Sequence, residues 1–441
     1  MEQIIRITYY ISGSAVFIFF LFFARDALIE EKRRAFMVSQ VFVMIFGAVW
    51  LVTLFFLEFF GIYLLIFPTL ILIFLIMFFL PLGRKKSIKY GEITERVDER
   101  DVIFSREKYI QGTEIYDKYY SLNPEFKEVD DKIRSMPRIL DPGGKYYDPV
   151  KSGSAREVFE IINGLRLQAD GEVNPQRQEL EPEKAGRELK KLAVDLGAKS
   201  AGIAPLDKAF VYTHHGRRPD TWGKEIFTGH NYSVVFTVEM DYLMVQKSPY
   251  VEITEETAHR YLQAANIAIG LAKYIRTLGY SASVNMDACY EVILPPLAYF
   301  AGLGELGRHG YLIIPETGSR ARLGAVTTDM PLEADKPINI GVQDFCEKCL
   351  KCAENCPSGA IPSGQKECVR GVEKWQLDIE SCMRYWRVAG TDCGLCMKVC
   401  PFSHPRSFIH NAVRKGIKNS SFARTVSVFG DDLFYGKREK Y

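Results

Sequence analysis

An α/β domain, joined to a cysteine-ligated cluster domain and preceded by membrane helices, is the fold class that three observations in this sequence predict. The first eighty or so residues are far more apolar than the rest of the 441-residue chain. Strand-like and helix-like patterns alternate between about 181 and 335, the arrangement of an α/β domain. Nine of the ten cysteines fall between Cys346 and Cys400, and only Cys289 lies outside. A disulfide framework would scatter cysteines through a small secreted chain, whereas dense clustering in a longer one points to metal or cluster ligation.

The N-terminal segment, 1–83, is expected to be an anchor of three transmembrane helices. Residues 8–24, 36–57 and 60–82 are apolar stretches, the last two parted by Glu58-Phe59-Phe60. A bilayer core takes about 20 such residues per helix. A signal peptide is the alternative for the first stretch, but no small-x-small cleavage site follows it and two further spans do. Arg25, Lys32, Arg33 and Arg34 fill one loop; Arg84, Lys85, Lys86 and Lys89 follow the last span. With three spans both basic segments lie on one side, which the positive-inside rule makes cytoplasmic. The expectation is a multi-pass cell-membrane protein with a cytoplasmic soluble part. No twin-arginine signal is visible at the N-terminus.

Residues 84–180 are polar and aromatic, with clusters at 116–120 and 142–147, and read as a loop-rich wrapper with few long elements. The stretch 168–183 reads as an exposed linker. In the domain 181–335, residues 183–196 have helical periodicity, 198–204 and 232–239 read as strands, and 255–278 as a long helix closed by Gly279. Residues 281–286 return as a further strand. A cluster domain at 336–411 and an extension at 412–441 complete the chain.

The first cysteine motif is Cys346-x2-Cys349-x2-Cys352-x3-Cys356-Pro357, and the second Cys382-x10-Cys393-x2-Cys396-x3-Cys400-Pro401. In two-cluster ferredoxins the cysteine before proline ligates the other cluster. One [4Fe–4S] cluster is therefore assigned to Cys346, Cys349, Cys352 and Cys400, the second to Cys382, Cys393, Cys396 and Cys356. Cys368 is the alternative to Cys382; otherwise Cys368 and Cys289 read as small buried residues. Zinc prefers C-x2-C pairs at wider separation.

Clusters carry electrons without naming a reaction. Over most of 94–436 the sequence resembles the catalytic subunit of corrinoid-dependent reductive dehalogenases. The resemblance rests on collinear pieces: 95–101 (ERVDERD), 104–106 (FSR), 130–137 (DDKIRSMP), 278–282 (LGYSA), 301–308 (AGLGELGR), 322–324 (RLG), 328–332 (TDMPL) and 344–346 (DFC), with the wide second cysteine motif and Trp375 between its halves. It implies an α+β nitroreductase-like domain binding cobalamin in base-off form, packed on a two-[4Fe–4S] ferredoxin-like domain. No D-x-H-x-x-G motif is present, in keeping with a corrinoid that lacks a histidine ligand.

The resemblance further implies that a tyrosine donates a proton as the carbon–halogen bond of an organohalide breaks, with a nearby cation polarising it. Tyr261 on the long helix and Arg308 in the Gly-rich loop are the candidates, with Asn285 a further polar contact. A core tyrosine is the bland alternative for Tyr261, and contact with the corrinoid or a cluster loop the alternative for Arg308. Gly302, Gly304 and Gly307 match a dinucleotide fingerprint, but Pro295-Pro296 precede them and no βαβ unit surrounds them. Close approach to the planar corrinoid suits them better, and Trp375 is a further candidate cofactor contact.

A net charge of +2 gives no support to polyanion binding, so no nucleic-acid partner is expected. The expected partners are a small organohalide, the membrane, and a membrane or soluble electron donor. The competing functions are an epoxyqueuosine reductase-like enzyme, which shares the cofactors but wants a basic face for tRNA, and a membrane ferredoxin that only relays electrons. The relay reading leaves the α/β domain unexplained.

Overall fold

The computed structural model describes residues 2–55, 61–93, 95–287 and 289–439. The Glu58-Phe59-Phe60 break lies outside the described residues. The chain forms two compact units: residues 1–87, 340–349 and 404–440, and residues 88–339 with 350–403.

In the first unit, helices Glu2–Ile29 and Arg33–Phe55 form an antiparallel pair, followed by a 3-10 turn, Gly61–Leu65, and helix Ile66–Phe79. Two of these helices, over Gln3–Ile29 and Arg33–Thr53, are long and apolar enough to cross a membrane. The third apolar helix, Tyr63–Phe79, is shorter, about 25 Å at 1.5 Å per residue, near the lower limit for a span. Its Pro68 sits in the first turn of Ile66–Phe79, where no helical N–H is lost. The unit is completed by helices Val342–Cys349, Phe408–Asn419 and Ser421–Tyr435. Phe23 meets Phe434 with ring centroids 4.6 Å apart, so the C-terminal extension packs on the N-terminal hairpin.

The second unit is built on a four-stranded sheet. Its strands are β1 (Ser200–Pro205), β2 (Tyr232–Glu239), β3 (Ala282–Asn285) and β6 (Ala321–Thr328), in the order β1-β2-β6-β3. A two-stranded ribbon, β4 (Glu305–Leu306) with β5 (Leu312–Ile313), lies between β3 and β6 in sequence. Every pairing in the sheet is antiparallel. The alternation of helices and strands thus yields the α+β form rather than a parallel sheet, because successive strands are not joined by right-handed crossovers.

Side-chain alternation on β2 explains why both faces are covered. Val234, Phe236 and Val238 point into one core with helices Pro182–Asp195 and Glu252–Thr277. Val235 points into the other, with Phe210, Leu297 and Ala325. Phe236 has room because Gly324 is its partner on β6.

The expected strands and helices of 181–335 are present within a few residues of their expected bounds. Strand β6 is the addition. The wrapper region differs more: it holds a seventeen-residue helix, Pro149–Leu165, that packs on Glu252–Thr277 through Val158, Ile162 and Ala258. Its start is written in Asp148-Pro149, since the Asp148 carboxylate accepts from the N–H groups of Val150 and Lys151 and proline suits the first turn. The tyrosines of 109–120 form a buried cluster, with the Tyr119 and Tyr120 hydroxyls donating to Asp101 and Asp130. The 168–183 stretch is largely exposed, yet strapped to the end of the long helix, where the Asn174 and Gln178 N–H groups donate to the carbonyls of Arg276 and Leu278.

Candidate functional site

The cysteine motifs divide between the units. Cys346, buried, and Cys349 ride on helix Val342–Cys349 of the first. Cys352, Cys356, Cys382, Cys393, Cys396 and Cys400 belong to the second. Leu350 takes a left-handed turn after Cys349, and Cys393 and Gly394 take two in succession, so that the chain reverses within each motif. Burial raises the thiol of Cys382 to about 11 and that of Cys393 to about 12, and Cys356 adds to both. Cys396 is pushed well up by burial, and then by the charges of Cys393, Cys382, Cys356 and Cys400. Cys356, Cys382, Cys393 and Cys396 therefore sit close enough to feel one another. Left bare, Cys382, Cys393 and Cys396 would be protonated at neutral pH; iron would replace those protons, and four soft, mutually adjacent thiols suit a [4Fe–4S] cluster.

Cys368 is not buried. It lies exposed on a short hairpin of Glu367–Val369 and Val372–Lys374. The residue alternates outward on a two-stranded ribbon, which a size-and-hydrophobicity argument does not capture. Cys289 is partly buried, as expected of a small core residue.

Tyr261 lies deep in the fold yet keeps part of its surface open, as do Tyr290 and Tyr311. Burial raises the Tyr261 phenol above its ordinary value, while Arg322 pulls it down. The Arg322 guanidinium stands 5.1 Å from the Tyr261 ring centre. Burial works against the Arg322 charge, but Tyr261, Asp392, Tyr311 and Tyr290 more than offset it. Arg322 Nη2 donates to Asp392 Oδ2 at 2.9 Å and to Thr257 Oγ1 at 2.5 Å. The Thr254 and Thr257 hydroxyls in turn donate to Asp392 at 3.0 and 2.6 Å. Asp392 immediately precedes Cys393, and the Tyr311 phenol, pushed well up by burial, is raised further by Cys396 and Cys382 and lowered by Arg322. A second cation, Arg217, lies 5.3 Å from the Tyr290 ring and is paired with Glu99 at 3.2 Å.

The other expected site residues are placed elsewhere or occupied. Arg308 is buried and donates to the carbonyls of Pro362 and Gly364 at 2.7 and 3.0 Å, with its guanidinium 4.5 Å from the Trp375 ring. The structure joins Arg308 and Trp375 to each other, and the cation beside Tyr261 is Arg322. Lys366 lies 4.6 Å from the same indole. Asn285 is buried; its amide accepts from the Glu291 N–H at 2.8 Å and donates to the Ser283 carbonyl at 3.3 Å, which holds the turn after β3. A Cβ on Gly302 or Gly304 would lie 2.6 Å from the Lys336 carbonyl oxygen or 2.3 Å from that of Ile313, and one on Gly307 would meet the Ile313 side chain. These glycines serve close contact between protein segments.

Sequence reasoning passed over Arg322, Asp392, Arg217 and Tyr290. One signal was available: Arg322 occupies an inward position on β6, on the same face as Val326, where charge is out of place unless paired.

Residues 345–404 match the family model described as 4Fe-4S dicluster domain. Tetrachloroethene reductive dehalogenase of Sulfurospirillum multivorans is 36% identical over 213 residues, 46% of this chain and 42% of that protein. The enzyme of the same name from Desulfitobacterium hafniense is 32% identical over 281 residues, 53% of this chain and 50% of that protein. Among solved structures, the catabolic reductive dehalogenase NpRdhA superposes with a TM-score of 0.66 at 25% identity, covering 81% of this chain and 50% of that one. The chain thus spans about half the length of the relatives it matches. In fold and in sequence it is similar to the reductive dehalogenases over that half.

Proposed function

We propose that the protein is a membrane-anchored reductive dehalogenase that replaces a halogen of a small organohalide by hydrogen. The observation that carries this reading is the Tyr261–Arg322–Asp392 chain. It holds a protonated phenol beside a buried cation whose carboxylate partner adjoins a cluster ligand. The balance is R–X plus two electrons and a proton, giving R–H and halide. When bound, the corrinoid supplies a strongly reduced cobalt at which the carbon–halogen bond is cleaved, and the two clusters supply its electrons one at a time.

Corrinoid suits the residues present: the rings of Tyr261, Tyr290 and Tyr311 stand deep but partly open, and the buried Arg322 Nε and His309 Nε2 have no hydrogen-bond partner. One solved neighbour of the same fold is described as a B12-dependent dehalogenase.

The protein's own part is proton delivery, charge stabilisation and exclusion of water. The Tyr261 hydroxyl holds the proton, because burial keeps the phenol neutral across the physiological range. Arg322 stabilises the phenolate left by transfer and negative charge developing at carbon. Asp392, Thr254 and Thr257 hold Arg322 in place, and Arg217 with Tyr290 forms a second charged wall. Cys346, Cys349, Cys352 and Cys400 are the ligands of one cluster, and Cys382, Cys393, Cys396 and Cys356 those of the other.

The two long apolar helices expose Ile11, Phe22, Met44 and Val52 along their lengths, as lipid-facing helices do. They anchor the chain, with the basic segments at 25–34 and 84–89 on the cytoplasmic side, and a donor at the membrane feeds the clusters. The test is halide release by anaerobically purified protein, supplied with corrinoid and a low-potential reductant, from chlorinated ethenes and halogenated phenols. Release that tracks corrinoid content supports the reading; none from any organohalide by protein holding both clusters and corrinoid overturns it. Donor coupling is tested by deleting residues 1–83: unchanged activity with the membrane donor would rule out the anchor's part in it.

A further inference from the structure

The end of the first helix carries a buried carboxylate that dehalogenation does not use. Glu30, 1% exposed, follows helix Glu2–Ile29 directly. His410 Nε2 stands 2.5 Å from Glu30 Oε1, and His404 Nδ1 3.3 Å from Glu30 Oε2. The two imidazoles stack with centroids 4.6 Å apart and planes 5° apart. The other nitrogen of His404, Nε2, lies 2.9 Å from Asp431 Oδ1. Tyr435 covers the group, its hydroxyl 3.4 Å from His410 Nε2, and Arg414 donates to the His404 carbonyl. All of these residues belong to the first unit, and one ligand atom each from Glu30, His404 and His410 lie within 4.8 Å of one another.

Two features separate this group from an ordinary buried ion pair. His404 Nδ1 is buried and makes no hydrogen bond, although a carboxylate oxygen is 3.3 Å away. With Asp431 on the Nε2 side, Nδ1 is the nitrogen that faces Glu30. An imidazole nitrogen and a carboxylate oxygen turned toward each other out of water are held by a cation they share, a proton or a metal ion. A carboxylate fixing the far nitrogen of an imidazole is also the usual outer-shell support of a metal-bound histidine. Bonds of about 2.1 Å to a tetrahedral ion put ligand atoms about 3.4 Å apart, which the 3.3 Å between His404 Nδ1 and Glu30 Oε2 matches, while His410 Nε2 parts from its 2.5 Å contact with Glu30 Oε1 to admit the ion.

We propose that Glu30, His404 and His410 bind one divalent first-row transition-metal ion, with Asp431 positioning His404. Two imidazoles and a carboxylate suit zinc or ferrous iron, and no cluster cysteine takes part. The ion fastens the N-terminal hairpin to helices Phe408–Asn419 and Ser421–Tyr435. Because Glu30 and His404 lie at opposite ends of the chain, the clip closes a very long loop.

The test uses the full chain in detergent, purified anaerobically with its clusters in place. After dialysis against a chelator, zinc chloride is added and bound zinc and iron are counted at equilibrium. The expected result is one zinc per chain beyond about eight irons, with a melting temperature that rises on zinc addition. Glu30→Gln should lower zinc affinity at least tenfold. Asp431→Asn, which leaves all three ligands, should weaken it by roughly 10–100-fold at an unchanged iron count. Wild-type protein that retains no zinc overturns the proposal without reference to either variant. Equal zinc on wild type and both variants overturns it as well, since the metal then sits elsewhere.

Discussion

Replacing Tyr261 by Phe and Arg322 by Gln, singly and together, probes whether the two act in one proton transfer. General acid catalysis contributes about 10²–10⁴-fold, so Tyr261→Phe should cost that much in turnover. For Arg322, a unit charge 5.1 Å from the Tyr261 ring centre, at an effective dielectric of about 20, stabilises a phenolate by about 3 kcal/mol. Arg322→Gln should therefore slow turnover roughly 100-fold. Both substitutions remove the same event, so the double variant should be little slower than the slower single one. Arg322→Gln also strips Asp392 of its cation, which costs about 3–5 kcal/mol of stability for a buried pair broken on one side. Arg322→Lys, which keeps the charge, should recover part of the activity. The assay is halide release under a constant low-potential reductant, with iron content and melting temperature measured on each variant. Fully additive losses would refute the coupling, and Tyr261→Phe within threefold of wild type would refute the donor itself.

Other outcomes follow from the same geometry. Cys382→Ser should lower iron from about eight to about four per chain, given one [4Fe–4S] cluster lost, whereas Cys368→Ser, at an exposed hairpin position, should leave both iron and activity unchanged. Gly304→Ala places a Cβ 2.3 Å from the Ile313 carbonyl oxygen and should lower the melting temperature even without corrinoid, by an amount corresponding to about 1–3 kcal/mol. The Cys289 thiol, raised by burial from 9.0 to about 11, should resist iodoacetamide in the folded chain at pH 8 while Cys368 reacts. The sign is that of a group kept neutral: the contribution of the neutral Cys289 thiol to stability is complete below about 9 and is lost as pH rises toward 11.

Much of this site was legible in the sequence, and the reason differs by residue. The cysteines were legible because cluster ligation needs fixed, short spacings that survive into the one-dimensional pattern. The long helix around Tyr261 was legible from its period. The tyrosine's cation was not, because Arg308 and Arg322 both follow the long helix in sequence and only the chain path decides which one it meets. Arg308 is held by two carbonyls near Pro362, a contact more than fifty residues away that no local pattern announces. The glycines of 302–307 looked like a cofactor cradle because a close approach leaves the same mark whatever approaches; here it is the chain itself. Helix Pro149–Leu165 was hidden by the aromatic and glycine-rich residues before it, although its Asp-Pro start was in plain view.

The account stands most directly on the metal content of the chain. Protein purified anaerobically and supplied with corrinoid should hold about one cobalt and about eight irons, and halide release should scale with the cobalt. Folded protein with its full iron complement that takes up no cobalt would contradict the account and leave an electron relay in its place.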